Sequence, residues 1–264
     1  MLIIFFILGL IIGSFLNVVV YRIRTAETIL GRSHCPQCKK TIRWYDNIPL
    51  LSFVLLRFKC RDCGEKISWQ YPLVEFLTGV VFALIASQYF VLENFATWPI
   101  TGVILALVSA LVVIFVYDIL YMEIPNIVLF PAIFLALAFN FFLDWGGAFS
   151  SMWERAFFSG LLAAAGAFIF FFSLSFFSKE KWMGMGDAYL VILLGLILGW
   201  PKILLGLFLA FAIGAIYGII LIVFKKKKMK SQLPFAPFLI AGTFITLSYY
   251  EPIVNWYLSF FSFI

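Results

Sequence analysis

Long apolar runs alternate with short polar breaks along almost the whole chain. The runs fall at 2–20, 72–92, 99–117, 127–143, 155–178, 188–200, 203–224 and 233–250. Most approach the ~20 residues that a helix needs to cross a bilayer. None alternates with the period of a half-buried strand, and a backbone in lipid must satisfy its own hydrogen bonds, so the pattern predicts helices. The expected fold is an all-α polytopic membrane protein with about eight transmembrane helices. One long polar interruption, 21–71, separates the first two runs. It divides the chain into a first span, 1–20, a loop domain, 21–71, and a membrane domain, 72–264. Residues 252–264 are apolar and aromatic, and either extend the last span or lie at the interface.

Composition removes the competing classes. The chain is 64% hydrophobic and 12% charged, whereas soluble domains carry about 25% charged residues. A water-soluble domain and a disordered chain are both excluded. The first run lacks a basic flank before it and a small-residue cleavage site after it; Arg22 and Arg24 follow instead. It reads as a retained span with the N-terminus outside. Alternation then places 21–71, 118–126, 179–187 and 225–232 on the cytoplasmic side. These segments hold every Lys and Arg except Arg155 and Lys202, as the positive-inside rule requires. The net charge of +6 is therefore a matter of topology and of anionic membrane lipid, not of nucleic-acid binding. Lys225–Lys228 with Lys230 reads as a stop signal at the lipid surface. Gly160, Gly166, Gly195, Gly199, Gly206, Gly214 and Gly218 are expected where helices approach closely.

All four cysteines lie in the long loop, as Cys35-Pro-Gln-Cys38 and Cys60-Arg-Asp-Cys63. Two C-x2-C pairs at this separation form a zinc-ribbon signature, because each turn aims two thiolates at one point. Four thiolates leave no open position, so the metal would be structural, in a cytoplasmic zinc-ribbon-like loop. Two disulfides are the alternative, set against a reducing compartment; thiol redox chemistry is a further one. Gly64 suits a tight turn. His34, the only histidine, adjoins Cys35 and reads as a neighbour of the site. Leu50–Leu56 is apolar but too short to span.

Acidic residues near the spans are few. Glu93, Asp144, Glu154 and Glu251 fall near outer ends, where water solvates them. Glu75 opens the second span and reads either as buried and functional or as interfacial. Asp118 ends a long apolar run and Asp187 closes Gly184-Met185-Gly186-Asp187. Both fall at the cytoplasmic membrane edge, where an ionisable group is expensive and a functional candidate. Two carboxyls brought together in low dielectric share a proton, so one activates water while the other polarises a carbonyl. Gly184 and Gly186 are expected to allow close approach and unusual dihedrals beside Asp187. The plain alternative is that each aspartate caps a helix or pairs with Lys179 or Lys181.

These motifs, in this order, resemble one family, the type IV prepilin peptidases, GxGD-type membrane aspartic proteases. Gly13-Ser14-Phe15-Leu16-Asn17 with Tyr21-Arg22 resembles the family's first span. The cysteine pairs followed by Tyr71-Pro72-Leu73-Val74-Glu75 resemble its loop. Asp118 with Ile124-Pro125-Asn126 and Gly184-Met185-Gly186-Asp187 resemble its two catalytic motifs. Pro234-Phe235-Ala236-Pro237-Phe238 resembles its last, with alanine where glycine is usual. The resemblance implies an inner-membrane endopeptidase that cuts the leader from prepilins or pseudopilins at the cytoplasmic face. Asp118 and Asp187 would be catalytic, with Gly184, Gly186, Pro125 and Glu75 as support. Many members of that family also methylate the new N-terminus with S-adenosylmethionine. One departure bears on this: a glycine tied to methyl transfer is usual two residues before the third cysteine, and here Phe58 stands there. The rival reading is a transporter or an assembly scaffold with a zinc docking loop. Against it, both aspartates fall at one membrane edge and the chain has no internal repeat.

Overall fold

The computed structural model describes residues 1–95, 97–145, 155–181, 183–224 and 233–261. Glu154, the lysines of 225–230 and the last three residues lie outside the described residues. Nine α-helices are found among those described: α1 (Leu2–Thr25), α2 (Leu51–Leu55), α3 (Gln70–Tyr89), α4 (Thr97–Tyr121), α5 (Asn126–Trp145), α6 (Ala156–Ser178), α7 (Met185–Leu198), α8 (Lys202–Val223) and α9 (Ala236–Phe261). All but the short α2 answer to the eight apolar runs. Six of them, α1, α3, α4, α5, α6 and α8, are long and apolar enough to cross a membrane. Helix α7, with 14 residues, extends about 21 Å, less than the hydrocarbon thickness. Helix α9 kinks at Tyr249, three residues before Pro252. The loop contributes two isolated β-bridges, His34 with Thr41 and Lys59 with Lys66.

The helices are built inside out, as lipid-exposed helices are. In α1 the buried face carries Gly9, Gly13, Asn17 and Arg22, while Ile3, Ile4, Ile11 and Phe15 are exposed. In α3 Glu75, Thr78 and Gly79 are buried and Leu73, Phe76 and Leu84 are exposed. Large apolar side chains lose nothing by facing acyl chains, so helix association rests on small residues and polar bonds instead.

The chain packs as two units, Met1–Val116 and Tyr117–Ile264. In the first, α1 lies against α3. A Cβ on Gly9 would stand 2.7 Å from the Gly79 Cα, and one on Gly13 would stand 2.8 Å from the Glu75 Cα. The side chain of Asn17 ties the same pair, donating to the Gly13 and Tyr71 carbonyls and accepting from the Gln70 amide. Neither Gly9 nor Gly13 is in the expected packing set, although they form a G-x-x-x-G.

In the second unit α7 packs on α5, α6 and α9, and α8 packs on α9. Gly195 is the tightest of the expected glycines, with the Ala164 backbone 2.5 Å from a would-be Cβ. Gly160, Gly199, Gly206 and Gly214 also meet neighbours, and Gly199 needs its positive φ of 68°. Gly166 does not follow the expectation, since a Cβ there meets nothing within 4 Å. Buried polar groups pair across helices: Asn140 donates to the Leu196 carbonyl, and the Trp200 N–H donates to the Ser159 hydroxyl.

Candidate functional sites

The second unit gathers the two aspartates. Asp118 lies in the last turn of α4 and is 5% exposed. A negative charge is unfavourable at a helix C-terminus. It is offset by the N-terminus of another helix, since the Ala236 N–H, first in α9, donates to Asp118 Oδ2 at 3.2 Å. Asp187 sits three residues into α7 and is partly buried. Its carboxylate reaches back to the Gly184 backbone N–H, the reciprocal half of a capping box. The two carboxylates are near enough to interact electrostatically. Each therefore does cap a helix. Among the described residues, neither forms an ion pair with a lysine or arginine.

Around the pair the chain is held by close contacts. Gly186 faces Ile124, whose side chain would stand 3.3 Å from an added Cβ. The two aspartate-bearing motifs thus pack on each other, and a side chain in place of the glycine would make Ile124 give way by a few tenths of an ångström. Glycine is not required for backbone angles: Gly184 has φ −71°, and among the described glycines positive φ occurs only at Gly31, Gly64 and Gly199. The expectation of unusual dihedrals at Gly184 and Gly186 is corrected accordingly. The Pro125 carbonyl accepts from Val128 and Leu129 and so opens α5. Met122 turns the chain out of α4 with φ 54° and donates its N–H to the Asp118 carbonyl. What sequence reading misses is the Ala236 N–H. A backbone donor leaves no mark in the residue type, although the prolines flanking Phe235-Ala236 signal a helix start.

The first unit gathers the cysteines. Their sulfur atoms all lie within 4.8 Å of one another, with Cys35 and Cys63 at 3.9 Å. Tetrahedral zinc–thiolate bonds would set sulfurs about 3.8 Å apart. None of the four is in a disulfide. The two pairs use one turn design. Cys35 N–H donates to the Lys40 carbonyl and Lys39 N–H returns to Cys35; Cys60 N–H donates to Glu65 and Gly64 N–H returns to Cys60. The fifth residue of each turn is left-handed, Lys39 at φ 59° and Gly64 at φ 73°. Backbone N–H groups of Cys63 and Asp62 directed at Cys60 hold its thiol down to about 7 against the effect of burial. A preformed cluster of four sulfurs could hold a metal ion. His34 is not part of it and pairs instead with Glu27, 3.5 Å away.

Charges lock the loop from outside. Arg61 grips Asp46 with two bonds of 2.8 and 2.6 Å, which holds the Asp46 carboxyl below the usual carboxylate range. Buried Arg22 donates to the carbonyls of Thr28, Ile29, Gly31 and Arg32, so the segment leaving α1 folds back over its end. Beneath the loop lies a cavity of about 360 Å³, lined by Ser14, Asn17, Gln70, Tyr71, Glu75 and Cys60 among others. Glu75 belongs to this cavity; it is 7% exposed and accepts the Leu50 N–H at 2.9 Å.

A polytopic helical membrane protein, with a four-cysteine cluster in one unit and an interacting aspartate pair in the other, is the class these features define. Comparison with known proteins narrows it. Residues 7–89 match the model of the bacterial peptidase A24 N-terminal domain, and residues 105–219 match that of the type IV leader peptidase family. A prepilin leader peptidase/N-methyltransferase of Bacillus subtilis is 33% identical over 261 residues, 98% of each chain. One from Pseudomonas aeruginosa is 30% identical, over 97% of this chain and 93% of its own. One from Myxococcus xanthus is 38% identical over 226 residues; there this chain spans 62% of the relative's length. No solved structure matches. The chain belongs to the type IV leader peptidase family.

Proposed function

We propose that the protein is an aspartic endopeptidase of the bacterial inner membrane that cuts the leader from prepilins or pseudopilins. Asp118 and Asp187 act as a dyad on one water. The observation that carries this reading is their pairing: two carboxylates from different helices interact, each held by a backbone N–H at a helix start. The pair shares one proton. The ionised member takes a proton from water as the water oxygen attacks the scissile carbonyl carbon. The protonated member donates to the carbonyl oxygen, and the collapsing intermediate expels the amine, which leaves with a proton. A prepilin is a membrane helix with a cytoplasmic head, so its scissile bond lies at the inner face. With the N-terminus outside, both aspartates fall on that side. Gly186 and Pro125 support the dyad by setting the chain around it.

Cys35, Cys38, Cys60 and Cys63 hold one structural zinc, which fixes the loop over the first unit's cavity. A second activity is supported by that cavity and by the names of the relatives: transfer of a methyl group from S-adenosylmethionine to the new N-terminus. Phe58 does not oppose it. Its backbone keeps a glycine-like φ of 65°, and its ring stacks on Trp69 and tilts on Phe53, outside the residues that line the cavity.

Purified protein incubated with a prepilin and labelled S-adenosylmethionine tests both activities. Leader cleavage is expected, and Asp118→Asn or Asp187→Asn each lowers it by at least ~10³-fold. Substantial cleavage by either variant at normal expression would return the aspartates to helix capping alone.

A further inference from the structure

Glu75 is a buried carboxylate that the peptidase reaction does not use. Its hydrogen-bond donors are the Leu50 N–H and the Ser14 hydroxyl, both neutral. Among the described residues no lysine or arginine pairs with it. Leu50 sits at φ 59°, a strained conformation for a side chain this large. In that conformation its N–H donates to Glu75. A carboxylate withdrawn from water without a counter-charge either keeps its proton or takes a cationic partner.

A second feature indicates which cation. The cavity, with Glu75 and other charged side chains in its lining, continues into a groove of about 510 Å³ through Ser14, Val18, Ser33 and Asn47, which line both. The groove is apolar, with Ile7, Ile11 and Phe15 at helical spacing along α1, facing Ile48 and Pro49 of the loop. Those three side chains are exposed on the part of α1 that runs through the membrane. At the Glu75 end, between the cavity and the membrane face of α1, an occupant with an apolar stem and one positive charge at its tip fits.

We propose that the cavity receives the free N-terminal amine of the cleaved pilin, with Glu75 as its anchor and proton acceptor, and that the pilin's first apolar residues lie in the groove along α1. This rests on the methyl-transfer reading above. The α-ammonium gives one proton to the Glu75 carboxylate. The freed nitrogen lone pair attacks the methyl carbon of the sulfonium donor; the N–C bond forms as the C–S bond breaks, and that bond's electron pair stays on sulfur as a neutral thioether. The product is a methylammonium, and Glu75 returns its proton to water as the product leaves. Glu75 is then a catalytic residue, whereas Leu50 and Ser14 position it.

The test uses the full-length protein in vesicles of zwitterionic lipid and a leader-free pilin whose N-terminus is either free or acetylated. Wild type should bind the free form at least ~30-fold more tightly, and Glu75→Gln should erase that preference while zinc content and melting hold. A preference that survives Glu75→Gln, or none in wild type, overturns the proposal. Binding is read without methyl transfer, so wild type that prefers the free amine yet transfers no label sinks the methyltransferase reading and leaves the amine site standing. A photoreactive residue at position 11 or 15 should crosslink to the pilin. Crosslinks to lipid alone, including an amine-headed lipid, would remove the pilin from the groove. Should Glu75→Gln fold poorly, Ile11→Glu serves in its place. It puts a charge against the apolar stem and should weaken both pilin forms alike, and unchanged binding would count against the groove.

Discussion

The cysteine cluster and the aspartate pair are sites built by opposite means. The cysteines sit in two turns 21 residues apart along one loop, and each turn closes on itself by two backbone bonds. The aspartates lie 69 residues apart, on α4 and α7, and the amide that holds Asp118 lies farther still, at the start of α9. A local site can form as soon as its turns do. A distributed site forms only when α4, α7 and α9 have packed. The difference teaches where each is vulnerable: the first to loss of a ligand, the second to any change that moves one helix end against another.

The largest effect is expected at the dyad. Combining Asp118→Asn with Asp187→Asn should cost scarcely more than the worse single variant, because groups acting on one water fail as a unit. Asp144 is the internal control. It accepts the Ala156 and Phe157 N–H groups at 2.9 Å and so caps α6, much as Asp118 caps α9. Asp144→Asn should lower stability by at most about 1 kcal/mol and leave cleavage within a few-fold. Multiplicative losses in the double variant would show that the two aspartates act separately.

The cysteine cluster comes next. Metal analysis should find about one equivalent of zinc per chain. Any single Cys→Ser change should abolish tight binding and open 26–69 to protease, while total helicity by circular dichroism changes little, because the loop contributes only α2. A large fall in helicity would show that the membrane helices depend on the loop. Full protease resistance without metal would show that the Arg61–Asp46 and Arg22 contacts suffice by themselves.

How far the two sites were legible follows from this contrast. The cysteine spacing specified a cluster of four sulfurs with no reference to any other part of the chain. Eight apolar runs specified eight helices, six of them long enough to span, because a backbone in lipid must close its own hydrogen bonds. Asp118 and Asp187 were legible as costly charges at span ends, but nothing in their separation said that they meet; the ordered motifs supplied that. The Ala236 amide, the Gly186–Ile124 contact and the place of Glu75 were not legible. Each depends on a helix register or on a backbone atom, and neither is written in residue type. Gly166 fails for the same reason: a glycine in a span marks a close approach only if a neighbour faces it.

Glycine packing sharpens the comparison further. Gly195→Ala sets a methyl against the Ala164 backbone, which cannot yield as a side chain does, and should destabilise the second unit by about 1–3 kcal/mol. Gly186→Ala meets the Ile124 side chain at 3.3 Å, a looser approach than the 2.5 Å at Gly195, so stability should change less than at Gly195 while cleavage falls, because the two aspartate motifs are pushed apart. Gly166→Ala, in open space, should be neutral or slightly stabilising. Thermal unfolding in detergent orders the three, and a Gly195→Ala variant as stable as Gly166→Ala would refute the close contact of α6 with α7.

The smallest effect belongs to Phe58, and its sign is the informative part. At φ 65° a residue with a side chain sits about 1–2 kcal/mol above glycine. The ring offsets this through Phe53 at 4.8 Å and Trp69 at 5.6 Å, pairs worth about 0.5–1.5 kcal/mol each, though at 44% exposure it recovers only part of its burial. Phe58→Ala loses the ring contacts and keeps the strain. Phe58→Gly loses both. Glycine should therefore be the more stable of the two by roughly 1 kcal/mol, the reverse of their order in a helix interior. Protease resistance of the loop in the zinc-loaded protein measures the difference. If alanine proved the more stable, the left-handed turn at Phe58 would not be how this loop carries its chain from α2 to Cys60.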